Sequence, residues 1–104
     1  MKICDEMIKL RKMLDDKGIQ WEDKSTIIPE TVIDEIMAKC KVERRYADTS
    51  MHRTHFTVKD TFFSVIYGYG SYGYNSGLLE CMIDDNEPIG CLTANEVISR
   101  MEEL

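Results

Sequence analysis

The chain has 104 residues, 43% hydrophobic and 31% charged, with a formal net charge of −6 and a pI of about 4.8. That length predicts one domain, residues 1–104, with room for a modest core that needs no metal or disulfide staple. The balance excludes a disordered chain, and the overall sign is wrong for a duplex-DNA binder, whose affinity comes from neutralising phosphates.

Residues 3–17 carry a helical stripe, Ile3, Met7, Leu10 and Leu14, with Lys2, Asp5, Lys9, Lys12 and Asp16 on the other faces. Gly18 is placed to stop that helix in a left-handed cap. Residues 19–28 read as a linker or a short extended piece, with Trp21, the one tryptophan, as a packing anchor. Pro29 suits the first turn of a second helix over 29–41, and Glu30, Asp34 and Glu35 favour its positive end. Its expected apolar stripe is Val32, Ile33, Ile36, Met37 and Cys40.

The period then changes from helical to alternating. Thr54, Phe56 and Val58 alternate with Arg53, His55, Thr57 and Lys59, which predicts a half-buried strand over 52–59. A tight turn at Lys59-Asp60 and a β-rich run over 61–67 make a hairpin. A glycine–tyrosine segment, 68–77, follows, then a strand over 78–83 and a turn over 84–90 with Pro88 as a breaker. Thr93 and Glu96 are spaced as a capping box opening a short helix whose apolar face is Val97, Ile98 and Met101. The order predicts an α+β fold: two N-terminal helices, a three- to four-stranded antiparallel sheet and a short C-terminal helix.

No apolar run approaches the ~20 residues a membrane helix needs, and Lys2, Asp5 and Glu6 interrupt the start where a secretory leader would be apolar. The reading is a cytoplasmic protein with no membrane partner. Cys4, Cys40, Cys81 and Cys91 are scattered among apolar neighbours, which predicts reduced thiols acting as small core residues.

Charge is uneven along the chain. From Lys39 to Lys59 there are six basic residues (Lys39, Lys41, Arg44, Arg45, Arg53, Lys59) against Glu43 and Asp48, a local +4 that leaves −10 elsewhere. This pattern suits a small anionic ligand or an acidic partner, or a solvated strand surface. Arg44, Arg45 and Arg53 are the candidate anion forks, and Arg53 lies on the better-defined strand. In the glycine–tyrosine segment Gly68, Gly70, Gly73 and Gly77 permit unusual backbone turns, while Tyr67, Tyr69, Tyr72 and Tyr74 supply flat rings with polar tips. Rings of this kind suit base stacking, a subunit interface or plain packing on the sheet. The segment lacks the Gly-Lys-Ser/Thr ending of a phosphate loop and the strand-to-helix setting of a dinucleotide fingerprint.

His52 and His55 fall on opposite faces of one strand, which predicts no metal site. Ser64, Ser71 and Ser76 lack a nucleophile elbow, the cysteines lack a protease context, and Asp84-Asp85 sits in a turn. These readings predict a binding protein with no cofactor, rather than an enzyme.

Several segments carry a resemblance. Arg53-Thr54-His55-Phe56, the stretch from Phe63 to Gly73, Gly77-Leu78-Leu79-Glu80, Glu87-Pro88-Ile89-Gly90 and Leu92-Thr93-Ala94 resemble small phage and prophage proteins of Firmicutes. The opening helix and Gly18-Ile19-Gln20-Trp21 look similar too, so the likeness covers most of the chain. The functional group this family is similar to is the Thoeris anti-defence sponges. The resemblance implies a viral immune-evasion protein that binds a cyclic nucleotide signal, of cyclic ADP-ribose type or a cyclic oligonucleotide, without cleaving it. It also implies a homo-oligomer with pockets at subunit boundaries. The candidate ligand-binding set is Arg45, Arg53, Tyr67, Tyr69, Tyr72, Tyr74 and Asn75. The alternative is a protein–protein inhibitor of a host defence complex, of the anti-CRISPR kind, using the acidic remainder of the chain as a mimic of a phosphate backbone.

Overall fold

The computed structural model describes residues 2–104. The fold is α+β. In chain order it comprises α1 (Asp5–Asp16), β1 (Trp21–Asp23), α2 (Glu30–Cys40), α3 (Arg44–Ala47), β2 (Met51–Val58), β3 (Thr61–Gly68), β4 (Leu79–Ile83), β5 (Ile89–Leu92) and α4 (Ala94–Glu102). A 3₁₀ turn, Tyr74–Ser76, interrupts the connection from β3 to β4. The five strands form one antiparallel sheet in sequence order.

Five strands replace the expected three to four. β1 forms inside the segment read as a linker, because Trp21, Glu22 and Asp23 pair with Phe56, His55 and Thr54 on the free edge of β2. β5 forms at the end of the segment read as a turn, where Ile89 pairs with Cys81 and Leu92 with Leu79 across an irregularity. Both are short edge strands whose ladder partners lie far away in sequence, so no local pattern marks them. The hairpin between β2 and β3 turns where expected. Lys59 and Asp60 both take positive φ, 50° and 64°, the twist that closes a two-residue antiparallel turn.

The core lies on one face of the sheet. Met7, Leu10 and Leu14 of α1 and Val97, Ile98 and Met101 of α4 close over Phe56, Phe63, Val65, Leu79 and Cys81. Phe56 and Phe63 stand opposite each other in register and stack with centroids 4.8 Å apart. The helix ends follow the chemistry of their residues. Gly18 takes φ +71° while its N–H and that of Ile19 close on the carbonyls of Asp15 and Leu14. At α4 the Glu96 N–H donates to Thr93 Oγ1 at 3.2 Å and the Thr93 N–H donates to Glu96 Oε1 at 3.1 Å, completing the capping box. Glu6 of α1 accepts from the Ala94 N–H at 2.8 Å, so a carboxylate also faces the positive end of α4.

The second helix differs from expectation. Of its apolar stripe only Ile33 is buried, while Val32 is 41% exposed. Its principal packing partner is α3, a short helix with no sequence signature of its own. Neither Ile33 nor Ala47 of α3 belongs to the main core. The molecule measures 48 × 24 × 22 Å with a radius of gyration of 14.8 Å, against about 13 Å for a compact chain of this length. The segment 27–47 is thus an arm on a compact body. The cysteines also divide. Cys81 is in the core, where burial pushes its thiol up to about 12, but Cys40 and Cys91 are exposed and Cys4 is half-buried, against the expectation of four core thiols.

Candidate functional site

The glycine–tyrosine connection is pinned rather than free. Ser71 is buried, and its hydroxyl donates to the Gly68 carbonyl at 2.7 Å and accepts from the Gly68 N–H at 3.0 Å. The Tyr72 N–H donates to Glu80 Oε1 at 3.0 Å, and the Cys91 N–H donates to the Tyr72 carbonyl at 3.2 Å, which ties the loop to β4 and β5. Gly73 takes φ +101°, and a Cβ there would lie 3.0 Å from the Cys91 Cα and the Leu78 Cβ, so a side chain would strain the backbone and crowd both neighbours.

This pinning arranges the rings. Tyr69 meets Tyr74 edge-on with centroids 6.0 Å apart, and Tyr74 meets Tyr67 at 5.3 Å. The Tyr67 hydroxyl donates to the Tyr74 carbonyl at 3.3 Å, and burial raises the Tyr67 phenol above its ordinary range, which keeps it a neutral donor. On the other side Tyr69 meets Tyr46 of α3 edge-on at 5.6 Å. The Arg45 guanidinium lies 4.8 Å over the Tyr46 ring and donates to the Tyr46 hydroxyl at 3.1 Å. A continuous row therefore runs Arg45, Tyr46, Tyr69, Tyr74, Tyr67. Beside it lies a surface cavity of about 440 Å³ lined by Tyr69, Tyr72, Tyr74, Asn75 and Cys91.

Six of the seven sequence-predicted residues thus gather around one loop. Tyr72 lines the cavity but stands outside the ring row, because its side chain lies against the backbone of Gly90, where a Cβ would come within 2.2 Å of the Tyr72 Cβ. Asn75 sits in the 3₁₀ turn with its amide unengaged among the described residues. Arg53 does not join them. It pairs with Ile66 in mid-sheet, its side chain on the face away from the helices, and its Nε is buried with no hydrogen-bond partner among the described residues. Sequence reasoning missed Tyr46. The signal was present, an aromatic next to the basic pair Arg44-Arg45, but only the fold brings it to Tyr69.

A larger cavity of about 810 Å³ lies between the end of α1 and the β1 edge, lined by Asp15, Trp21, Glu22, His55 and Phe62. Its two carboxylates disfavour an anion, and the Asp15 carboxylate is already engaged by the Trp21 Nε1–H at 2.8 Å. Next to it the sheet makes a serine–histidine contact that the sequence did not disclose. Ser64 Oγ and His55 Nε2 are 3.0 Å apart, and Glu22 stands opposite His55 in register. Ser64 is buried in mid-strand, and the Glu22 carboxylate is held by Lys24 at 2.8 Å, so the row lacks the exposed nucleophile and the free orienting carboxylate of an acyl-transfer site. Burial first, then the charges of Arg53 and Lys24, hold the His55 imidazole below its ordinary value. Among the described residues no group of three or more His, Cys, Asp or Glu side chains is arranged to hold a metal ion, and no helix is long and apolar enough to cross a membrane.

No protein-family model, curated protein or solved structure matches this chain.

Proposed function

We propose that the protein captures a small anionic ligand carrying a flat aromatic base and holds it intact. The observation that carries this reading is the row from Arg45 through Tyr46, Tyr69 and Tyr74 beside a cavity of about 440 Å³. Ligand pockets commonly hold ~300–1,000 Å³, so one nucleotide unit fits the space. Ring edges and faces give a base sequence-tolerant stacking surface, with Asn75 free to bond its edge. Arg45 supplies the cation. Its present partner is Glu43 at 2.8 Å on the open surface, a pairing weak enough for a phosphate to displace.

With the resemblance to phage anti-defence sponges, the ligand class is a cyclic nucleotide immune signal, of cyclic ADP-ribose type or a cyclic oligonucleotide. The activity is sequestration in the host-cell cytoplasm. A second reading, inhibition of a host defence complex through protein contact, draws support from the exposed apolar residues Ile27, Val32 and Val42 of the arm.

The test is thermal melting of the purified chain against cyclic nucleotides and cyclic ADP-ribose isomers, with the ligand recovered and assayed for cleavage. Binding at a hundredfold excess over Kd adds about 2.7 kcal/mol, a midpoint rise on the order of 10 °C. Such a rise with intact ligand supports capture. A flat panel, with a host protein retained on the immobilised chain, transfers the function to the second reading.

A further inference from the structure

We propose that α2 is a self-pairing arm, and that two copies of this chain associate by antiparallel packing of their α2 helices about Ile36. This surface stands apart from what the tyrosine row binds, and it gives the expected homo-oligomer a definite interface.

The first observation is an energetic shortfall. α2 has 11 residues, and isolated helices shorter than ~12–15 residues are marginal in water. It buries one side chain, Ile33, outside the main core. Ile27 before it is 47% exposed, Val32 within it 41% and Val42 after it 37%. Among the described residues, four of the nine large exposed hydrophobics, these three and Tyr46, fall within the 20 residues from 27 to 46. A helix in that position needs a cover for its apolar side.

The second observation identifies the cover by its charge. One flank of α2 is already neutralised within the chain, where Arg44 pairs with Glu30 and, at 3.1 Å, with Asp34. The other flank carries Val32 and Cys40, both exposed, with half-buried Ile36 between them. Helical spacing puts Val32 and Ile36 on one side with Glu35 and Lys39 beside them, one acid and one base a turn apart. A face that is half acidic and half basic along its length complements a copy of itself turned end for end. With Ile36 on the two-fold axis, Ile36 meets Ile36 of the partner subunit, Val32 meets Cys40 of the partner subunit, and Glu35 meets Lys39 of the partner subunit twice. A parallel pair would set Glu35 on Glu35 and Lys39 on Lys39, which repels. The interface is isologous and closes at two copies.

Two measurements test this with the full chain. In a Cys40→Ser, Cys91→Ser background, Ile36→Cys lies on the axis and should form an inter-chain disulfide under mild oxidation. Cys40 in a Cys91→Ser background lies four residues from the axis in each copy. At about 1.5 Å per residue the two Cys40 positions are about 12 Å apart along the helices, beyond the ~7 Å a disulfide spans, and should stay free. In sedimentation equilibrium Glu35→Lys and Lys39→Glu should each weaken dimerisation roughly tenfold, because each creates a like-charge contact twice, and the double variant should restore it. Circular dichroism checks that the variants keep their helix. A wild-type chain that stays monomeric at high micromolar concentration, cross-linking through Cys40 in place of Ile36→Cys, or a double variant no better than the singles overturns the proposal. So does a dimer that forms with no Ile36→Cys cross-link.

Discussion

The body and the arm are built from similar residues and reach opposite ends. In the body α1 and α4 bury Met7, Leu10, Leu14, Val97, Ile98 and Met101 against the sheet. In the arm α2 carries Val32, Ile33, Ile36 and Met37 at the same helical spacing and buries only Ile33. Amphipathic periodicity states that a helix has a face to cover, and it does not state what covers it. In the body the cover is the chain itself, which makes stability. In the arm much of the apolar side stays uncovered by the chain, and the arm ends near Arg45 and Tyr46, where Tyr46 meets Tyr69 of the loop.

The contrast can be broken by truncation. Phe63→Ala removes a fully buried ring stacked on Phe56 and should cost about 3–5 kcal/mol in denaturant unfolding. Ile33→Ala truncates the arm's large buried aliphatic and should cost about 2 kcal/mol or less, at the low end for its type. Its hydrogen-exchange protection should fall over residues 30–47 and hold in the sheet, since the arm opens locally. Equal losses in the two variants, or a loss of protection spreading to β3, would show that body and arm are one cooperative unit.

Two smaller effects sharpen the picture of the body. Thr93→Ala deletes the capping box of α4 and should cost about 1 kcal/mol. His55 should give the smallest effect, through pH. Its folded-state value lies below that of the unfolded chain, so the folded protein resists protonation there. Its contribution is complete above pH 6.5 and is lost as pH falls through the folded-state value. The thermal midpoint should therefore drop between pH 7.5 and pH 5.5, with less of a drop in His55→Gln. The lowered carboxylates Glu22 and Asp23 titrate below this window.

Legibility in the sequence follows interaction range. The stop at Gly18, the turn at Lys59-Asp60 and the box at Thr93 were readable because each is decided within four residues. β1 and β5 were not, because a three- or four-residue edge strand is made by its partner. The exposure of Val32 was also hidden, since its spacing is that of a core residue. At the site, the tyrosines and Asn75 were legible as a cluster in sequence. Arg53 was grouped with them by charge, and the register set it in mid-sheet instead. Tyr46 was invisible because 22 residues and two strands separate it from Tyr69.

Capture at the tyrosine row is tested most directly by calorimetric titration of the wild-type chain and Tyr69→Ala with cyclic ADP-ribose isomers and cyclic oligonucleotides. Tyr69 joins the arm to the loop and packs in no core, so its truncation should leave the unfolding midpoint in place. The prediction is saturable binding by the wild type and a Kd weakened roughly 5- to 150-fold in the variant, the loss of one stacking ring. Binding of equal strength by both proteins would place the ligand elsewhere, and no binding by the wild type would contradict capture altogether.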